Sequence, residues 1–260
     1  MRKYSLGVFL NIFNRNKKDW KRQIKFINSL NGVGHIEILI EDTSLTKQDI
    51  NILKKLLMSY RVILHAPFMD IALLSPHREI AEATISILKK SMAIGIALNA
   101  ETMTIHAERY PNFWDESQAL KKTTAFIKRL SGSSDLPISV ENLSYSGNTQ
   151  IPFPQNRKQI KSLAKAIQPH AGITIDTGHL LKDGENVLEI IDENKNSIYD
   201  IHLHDGKKGS AHLALNDGNL NLKNLISILN DIDYKKFVTL ETIGEKETRK
   251  SWKILKTLTD

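Results

Sequence analysis

The chain has 260 residues, 41% hydrophobic and 25% charged, with a formal net charge of +7. That much apolar material supports a sizeable core, and no apolar run reaches the length of a membrane span. There is no cysteine, which excludes a disulfide framework, a cysteine nucleophile and a thiolate zinc site, so any metal must be held by imidazole and carboxylate.

The basic balance permits phosphate or nucleic-acid partners. The lysines are spread widely, however, and "NRNKKDWKRQIK" and "TRKSWKILK" read as solvated faces of amphipathic helices. The N-terminal "MRKYSLGVFLNIFNRNKKDW" starts basic but lacks a small-residue cleavage site. A strand explains it better than a leader, and a cytoplasmic location is the expectation.

In chain order the predicted strands are "YSLGVF" (4–9), "GHIEILI" (34–40), "RVILHAPF" (61–68) and "TMTIHAE" (102–108), then "PISVENL" (137–143), "GITIDTGH" (172–179), "IYDIHLH" (198–204) and "FVTLETI" (237–243). Each is rich in Val, Ile, Leu and Thr and bounded by polar or turn residues. Between them, "DWKRQIKFINSL", "TKQDINILKKLLMSY", "HREIAEATISILKKSMAIGIALN" and "DESQALKKTTAFIKRL" carry helical spacing of apolar residues. The same spacing returns in "NRKQIKSLAKAI", "ENVLEIIDENK", "LNLKNLISILNDI" and "EKETRKSWKILKTL", with Thr46, Asp115 and Asn221 as N-caps.

Eight strands alternating with eight helices in this length predict an α/β fold, a single (β/α)8 TIM barrel spanning 1–260. The competing open sheet lacks its phosphate fingerprint. The glycines of "LNGVGHIE" precede a strand instead of joining a strand to a helix.

In such a barrel the chemistry sits at the C-terminal strand ends. Glu37, His65, His106, Glu141, Asp176, His179, His202, His204 and Glu241 all fall there, and His212 follows in "IHLHDGKKGSAHLALNDG". A lone histidine at a strand end is usually structural. Ionised groups converging on one axis would repel and lose hydration unless something bound them. A divalent cation answers that, and carboxylates with neutral imidazoles suit Mn²⁺, Co²⁺, Zn²⁺ or Mg²⁺.

"VILHAPF", "MTIHAE", "ISVENL", "ITIDTGH", "IHLHD" and "VTLET" resemble, in order and spacing, the xylose isomerase-like TIM-barrel superfamily, which includes sugar isomerases, epimerases and the endonuclease IV family. The resemblance implies a metal held by Glu141, Asp176, His202 and Glu241. His204 is then a neighbour of the site, and Asp205 an orienter of an imidazole.

Two chemistries follow from the resemblance. In an isomerase or epimerase of a small carbohydrate or sugar phosphate, one ion is implied and Glu141 and Glu241 are also the acid/base pair. His179 and Lys208 would contact substrate there. Gly147 departs from this pattern, standing where those epimerases carry a substrate-binding glutamate.

In an endonuclease IV-like phosphoesterase, two or three ions are implied. His65 and His106 would join Glu141, while His179 and His212 would share a third site, and nucleic acid would be the partner. Ser210 replaces the aspartate expected near His212, "DTGH" replaces a cysteine-containing motif, and no long basic insertion is present to grip a duplex. The reading favours a small carbohydrate. A non-catalytic metal- or ligand-binding barrel is the third alternative.

Other positions carry smaller expectations. Glu37 would hydrogen-bond a ligand hydroxyl or make a salt bridge in the barrel mouth. Asn142 would face outward. Phe68 and Met69 would form an apolar wedge or, more simply, the pocket rim. Tyr110 and Trp114 would cover a sugar ring or, more simply, pack against the fourth helix. "NTQIPFPQN" (148–156) would be a lid or, more simply, a rigid connector. Oligomeric state leaves no mark in the sequence.

Overall fold

A computed structural model of the chain describes residues 3–12, 16–145, 147 and 150–259. In chain order the elements begin β1 (Ser5–Ile12), α1 (Lys17–Asn28), β2 (His35–Ile40), α2 (Lys47–Leu57), β3 (Arg61–His65), α3 (Arg78–Ala97) and β4 (Met103–His106). They continue β5 (Arg109–Pro111), α4 (Glu116–Ser131), β6 (Ile138–Glu141), β7 (Gln150–Pro152), α5 (Arg157–Ile167), β8 (Gly172–Asp176), α6 (Thr177–Asp183) and α7 (Val187–Asn194). The last are β9 (Ile198–Leu203), β10 (Asp205–Lys207), β11 (Ser210–Leu213), α8 (Leu222–Asp231), β12 (Phe237–Leu240) and α9 (Glu245–Thr259).

Eight strands close in the order β1-β2-β3-β4-β6-β8-β9-β12 and back to β1, every pair parallel. This is a single (β/α)8 TIM barrel. The helices start where the sequence placed their caps. Thr46 and Asp115 each form a reciprocal capping box, with Asp49 and Gln118, and the Asn221 side chain accepts from Asn224 N.

Several expected strands end earlier. "GITIDTGH" stops at Asp176, because that carboxylate accepts the His179 amide and turns the chain into α6, a helix absent from the sequence expectation. Strand and helix counts among the described residues therefore exceed eight each, the extra strands being the antiparallel pairs β5–β7 and β10–β11 above the barrel mouth.

Successive side chains on a strand alternate between the helix layer and the barrel axis. The outward set is apolar and buries Leu6, Val8, Ile36, Ile38, Leu64, Ile105, Val140, Ile175 and Ile201 beneath the helices. The axial set is unusually polar. Thr174 Oγ1 donates to Ser139 Oγ at 2.8 Å, with Thr104 alongside.

His35 bridges Ser5 Oγ (3.0 Å) and Thr239 Oγ1 (2.9 Å), and Thr239 donates to Asp200 Oδ2 at 2.8 Å. Gly7 leaves room for the His35 ring, since a Cβ there would lie 2.3 Å from its Nε2. A chain of hydrogen-bonded polar groups thus climbs the barrel axis towards its C-terminal mouth.

Candidate metal centre

The parallel register sets the site. Asp176 pairs with His202, His106 with Glu141 and Thr239 with His202, so inward residues of neighbouring strands arrive at the same height. Glu241 follows β12 directly, its amide still bonded to Leu203 O. Glu141, Asp176, His202 and Glu241 each offer a ligand atom within 4.8 Å of the others.

Nδ1 of His202 lies 3.0 Å from Glu241 Oε2 and 3.3 Å from Glu141 Oε2. Both His202 ring nitrogens and Glu241 Oε2 are nevertheless buried without a hydrogen bond of good geometry among the described residues. A neutral imidazole has one lone-pair nitrogen. Nδ1 of His202 beside two carboxylate oxygens, with no hydrogen bond of good geometry, is a place where a cation could be held. The oxygen and nitrogen donors suit Mn²⁺, Co²⁺, Zn²⁺ or Mg²⁺, so the residues present fit a divalent ion.

A second group adjoins the first. His65 Nε2 and His106 Nε2 lie 3.2 and 3.1 Å from Glu141 Oε2, and His65, Glu141 and His202 also fall within 4.8 Å of one another. His65 Nδ1 faces Ala66 O at 2.7 Å and His106 Nδ1 faces Glu108 Oε1 at 3.2 Å. Bonds on the far ring nitrogen fix which nitrogen is offered to the site.

Burial disfavours a charged Glu141, but the imidazoles of His202 and His106 outweigh it and hold the carboxyl well below its usual range. Burial likewise opposes charge on His106, yet Glu141 and Glu108 push it up to about 10. Any imidazole here that held a cation would have to be neutral, so its proton would be released on binding.

Of the remaining histidines, His179 places Nδ1 3.1 Å from Asn142 O and 3.3 Å from Asp176 Oδ2. His204 is fully buried, with Nε2 2.9 Å from Asp176. The His212 amide lies 2.8 Å from His204 Nδ1, which also faces Asp205 O at 3.3 Å, while Nε2 faces the Asp176 carboxylate. His212 stacks on His204 with ring centres 4.2 Å apart.

A cavity of about 440 Å³ opens over these groups. Its floor holds His65, His106, Glu141, His179, His212 and Glu241, and Phe9, Leu39 and Phe68 supply an apolar wall.

The structure sorts the other expected residues. Of its two expected roles Glu37 takes the salt bridge: it is fully buried beneath His202, its Oε2 2.9 Å from His202 Nε2, and lies outside the cavity lining. His204 also lies below the cavity, supporting Asp176. Lys208 sits on the exposed β10–β11 turn and does not line the cavity.

Asp205 turns its side-chain Oδ1 to the amides of Gly206 and Leu220 and fixes a loop, while its backbone carbonyl faces the His204 imidazole at 3.3 Å. Asn142 is buried and not outward-facing; it clasps the Asp176 backbone with both ends of its amide. Tyr110 packs against Phe153, and Trp114 lies under Lys122 of α4, so neither covers the cavity.

Phe68 lines the cavity, whereas Met69 is exposed and outside it. Residues 150–156 form β7, a buried Phe153 and the α5 cap, a connector. Asn148 and Thr149 lie outside the described residues.

The sequence reading missed Asp200, Glu108 and Arg109. Asp200 stands two residues before His202 and Glu108 two after His106, the strand period that keeps a side chain on the same face. Arg109 carried no such signal.

Together these features define a (β/α)8 protein with a carboxylate–imidazole centre at the C-terminal mouth of its barrel. The chain belongs to the xylose isomerase-like TIM barrel family, whose sequence profile matches residues 16–258. An uncharacterized protein of Methanocaldococcus jannaschii is 26% identical over 233 residues, covering 85% of this chain and 78% of that protein.

Among solved structures, a D-tagatose 3-epimerase-like protein superposes with a TM-score of 0.82 at 22% identity, over 98% of this chain and 96% of the other. D-allulose 3-epimerase from Methylomonas sp., in complex with D-allulose, gives 0.82 at 15% identity, over 99% and 98%. Endonuclease IV from Thermus thermophilus gives 0.72 at 17% identity, over 98% of each chain. At these identities the likeness is one of fold.

Proposed function

We propose that the protein is a divalent-metal-dependent isomerase or epimerase of a small carbohydrate or sugar phosphate. The observation that carries this reading is the pair Glu141 and Glu241 under a cavity of about 440 Å³. They approach His202 Nδ1 to 3.3 and 3.0 Å from β6 and the end of β12, with β8 and β9 between them. A cavity of that size accommodates one small molecule. The fold likeness to the sugar 3-epimerases agrees with it.

Glu141, Asp176, His202 and Glu241 would hold the ion, which supplies positive charge beside the substrate's carbonyl oxygen. The proton moves at the adjacent carbon. One glutamate takes it from one side, and the other delivers a proton to the opposite side. His179, which lines the cavity, would hold a substrate oxygen. The apolar wall of Phe9, Leu39 and Phe68 keeps bulk water from the carbon that loses its proton.

A second reading, a multi-metal phosphoesterase, is favoured by His65 and His106 gathering on Glu141. Two measurements separate the readings. The metal-loaded protein is incubated with ketopentoses, ketohexoses and their phosphates in D₂O, and it is assayed on phosphoesters and abasic-site DNA. Deuterium entering the sugar carbon next to the carbonyl, with a loss of about 10²- to 10⁴-fold in E141Q and E241Q, is expected. Phosphoester cleavage lost in H65A and H106A, with no exchange on any sugar, would replace this reading by the second. Neither activity, with an ion still bound, would leave the non-catalytic binding barrel.

A further inference from the structure

Among the described residues, Arg109 is the one permanently charged cation in the cavity wall; every other titratable group lining it is a glutamate or a histidine. Its Nη1 is buried without a hydrogen-bond partner among those residues. The guanidinium also has no carboxylate at ion-pair distance there. Glu108, its neighbour in sequence, turns its carboxylate to His106 at 3.2 Å. A buried guanidinium nitrogen left without an acceptor is costly, and guanidinium groups at pocket walls are matched by oxyanions.

The backbone holds Arg109 in this position. Glu108 adopts a φ of +69°, an uncommon conformation for a residue with a side chain, kept by its carbonyl accepting the Phe153 amide at 3.0 Å. Arg109 then begins β5, which pairs with β7. Tyr110 drives into the core against Phe153, so alternation along the strand sends Arg109 to the other face, towards the cavity.

We propose that the natural substrate carries an anionic group, a phosphate ester or a carboxylate, and that Arg109 binds it at the end of the cavity wall formed by β5. The anion is positioned by a residue that takes no part in holding the ion or moving the proton, so Arg109 determines specificity. The proposal deepens the small-substrate reading and rests on it only in taking this cavity as the substrate site.

The test is calorimetric binding to the protein as purified with its metal, in wild type, R109K and R109Q. The probes are inorganic phosphate, acetate, and a panel of ketopentoses and ketohexoses with and without a phosphate ester. Matched metal content and melting temperature among the variants exclude misfolding as a cause. At least about tenfold weaker anion binding in R109Q, with partial recovery in R109K and unchanged binding of neutral sugars, is the expected result.

Loss confined to phosphate and its esters names a phosphate; loss confined to acetate names a carboxylate. Equal anion binding by wild type and R109Q, or none by either, overturns the proposal. Arg109-dependent anion binding without deuterium exchange on any sugar leaves this inference standing and removes only the proposed reaction.

Discussion

His202 Nε2 lies 2.9 Å from Glu37 Oε2, inside the barrel and beneath the cluster that its other ring nitrogen faces. The ring is set between two groups of carboxylates. Nε2 lies beside Glu37 without a hydrogen bond of good geometry, and Nδ1 faces Glu141 and Glu241. Burial, and then the neighbouring Glu37 carboxylate, push the carboxyl of Asp200, 3.6 Å from the same Nε2, well above the usual carboxylate range.

Replacing Glu37 by Gln keeps the shape of that contact and removes its charge. Metal affinity should fall about 10- to 100-fold in E37Q, with overall folding retained. Competition with a chromogenic chelator measures this directly. Unchanged affinity would show that Glu37 serves only the packing of the barrel.

Chelation should destabilise the protein, because ligands that bind only the folded chain add to its stability. At free metal one hundred times the dissociation constant the increment is about 2.7 kcal/mol. Differential scanning calorimetry should show a higher melting temperature with added Mn²⁺, Co²⁺ or Zn²⁺ than with chelator. In D176N, where the carboxylate within 4.8 Å of the other three ligands is gone, that increment should shrink or vanish. An identical increment in D176N would place the ion elsewhere.

His35 makes stability depend on pH. Burial, aided by the charges of Arg61 and His202, lowers its pKa from 6.5 to about 3. The folded chain therefore keeps this ring neutral where the unfolded chain protonates it. Its contribution is complete above pH 6.5 and is lost as pH falls towards 3, at up to about 1.4 kcal/mol per pH unit. Urea unfolding of metal-free protein between pH 6.5 and about 4.5 should show this slope. H35N, although less stable throughout, should lose close to one proton's worth of it. Parallel slopes would mean that His35 titrates normally.

Gly178 and His204 share one space. A Cβ at residue 178 would stand 1.9 Å from His204 Nδ1, so the ring occupies the volume that any side chain there would need. G178A should lose about 1–3 kcal/mol through overpacking and loosen the His204–Asp176 contact. Combining it with H204A should cost less than the two single changes together, as a double-mutant cycle would show. Additive losses would contradict the shared volume.

The axial polar residues show why one part of the site was legible in sequence and another was not. His65, His106, Glu141, Asp176, His202 and Glu241 stand at the C-terminal ends of strands, where a closed parallel sheet brings neighbouring positions to one height. Glu37 and Lys208 stood in equally suggestive places. One lies below its partner imidazole and the other on an exposed turn. Sequence spacing states which face of a strand a side chain takes, not how deep along the axis it lies.

The alternation of β-rich and helical segments determined the barrel, because short strands with intervening helices close only through right-handed crossovers. The absence of cysteine confined the donor set to imidazole and carboxylate. The tertiary structure decided the rest. The β5–β7 pair turned Arg109 into the cavity, the capping of α6 by Asp176 ended β8 early, and Asn142 was drawn in to clasp Asp176. Each depends on contacts between segments distant in sequence, where burial and unsatisfied hydrogen-bonding groups, not local spacing, choose the partner.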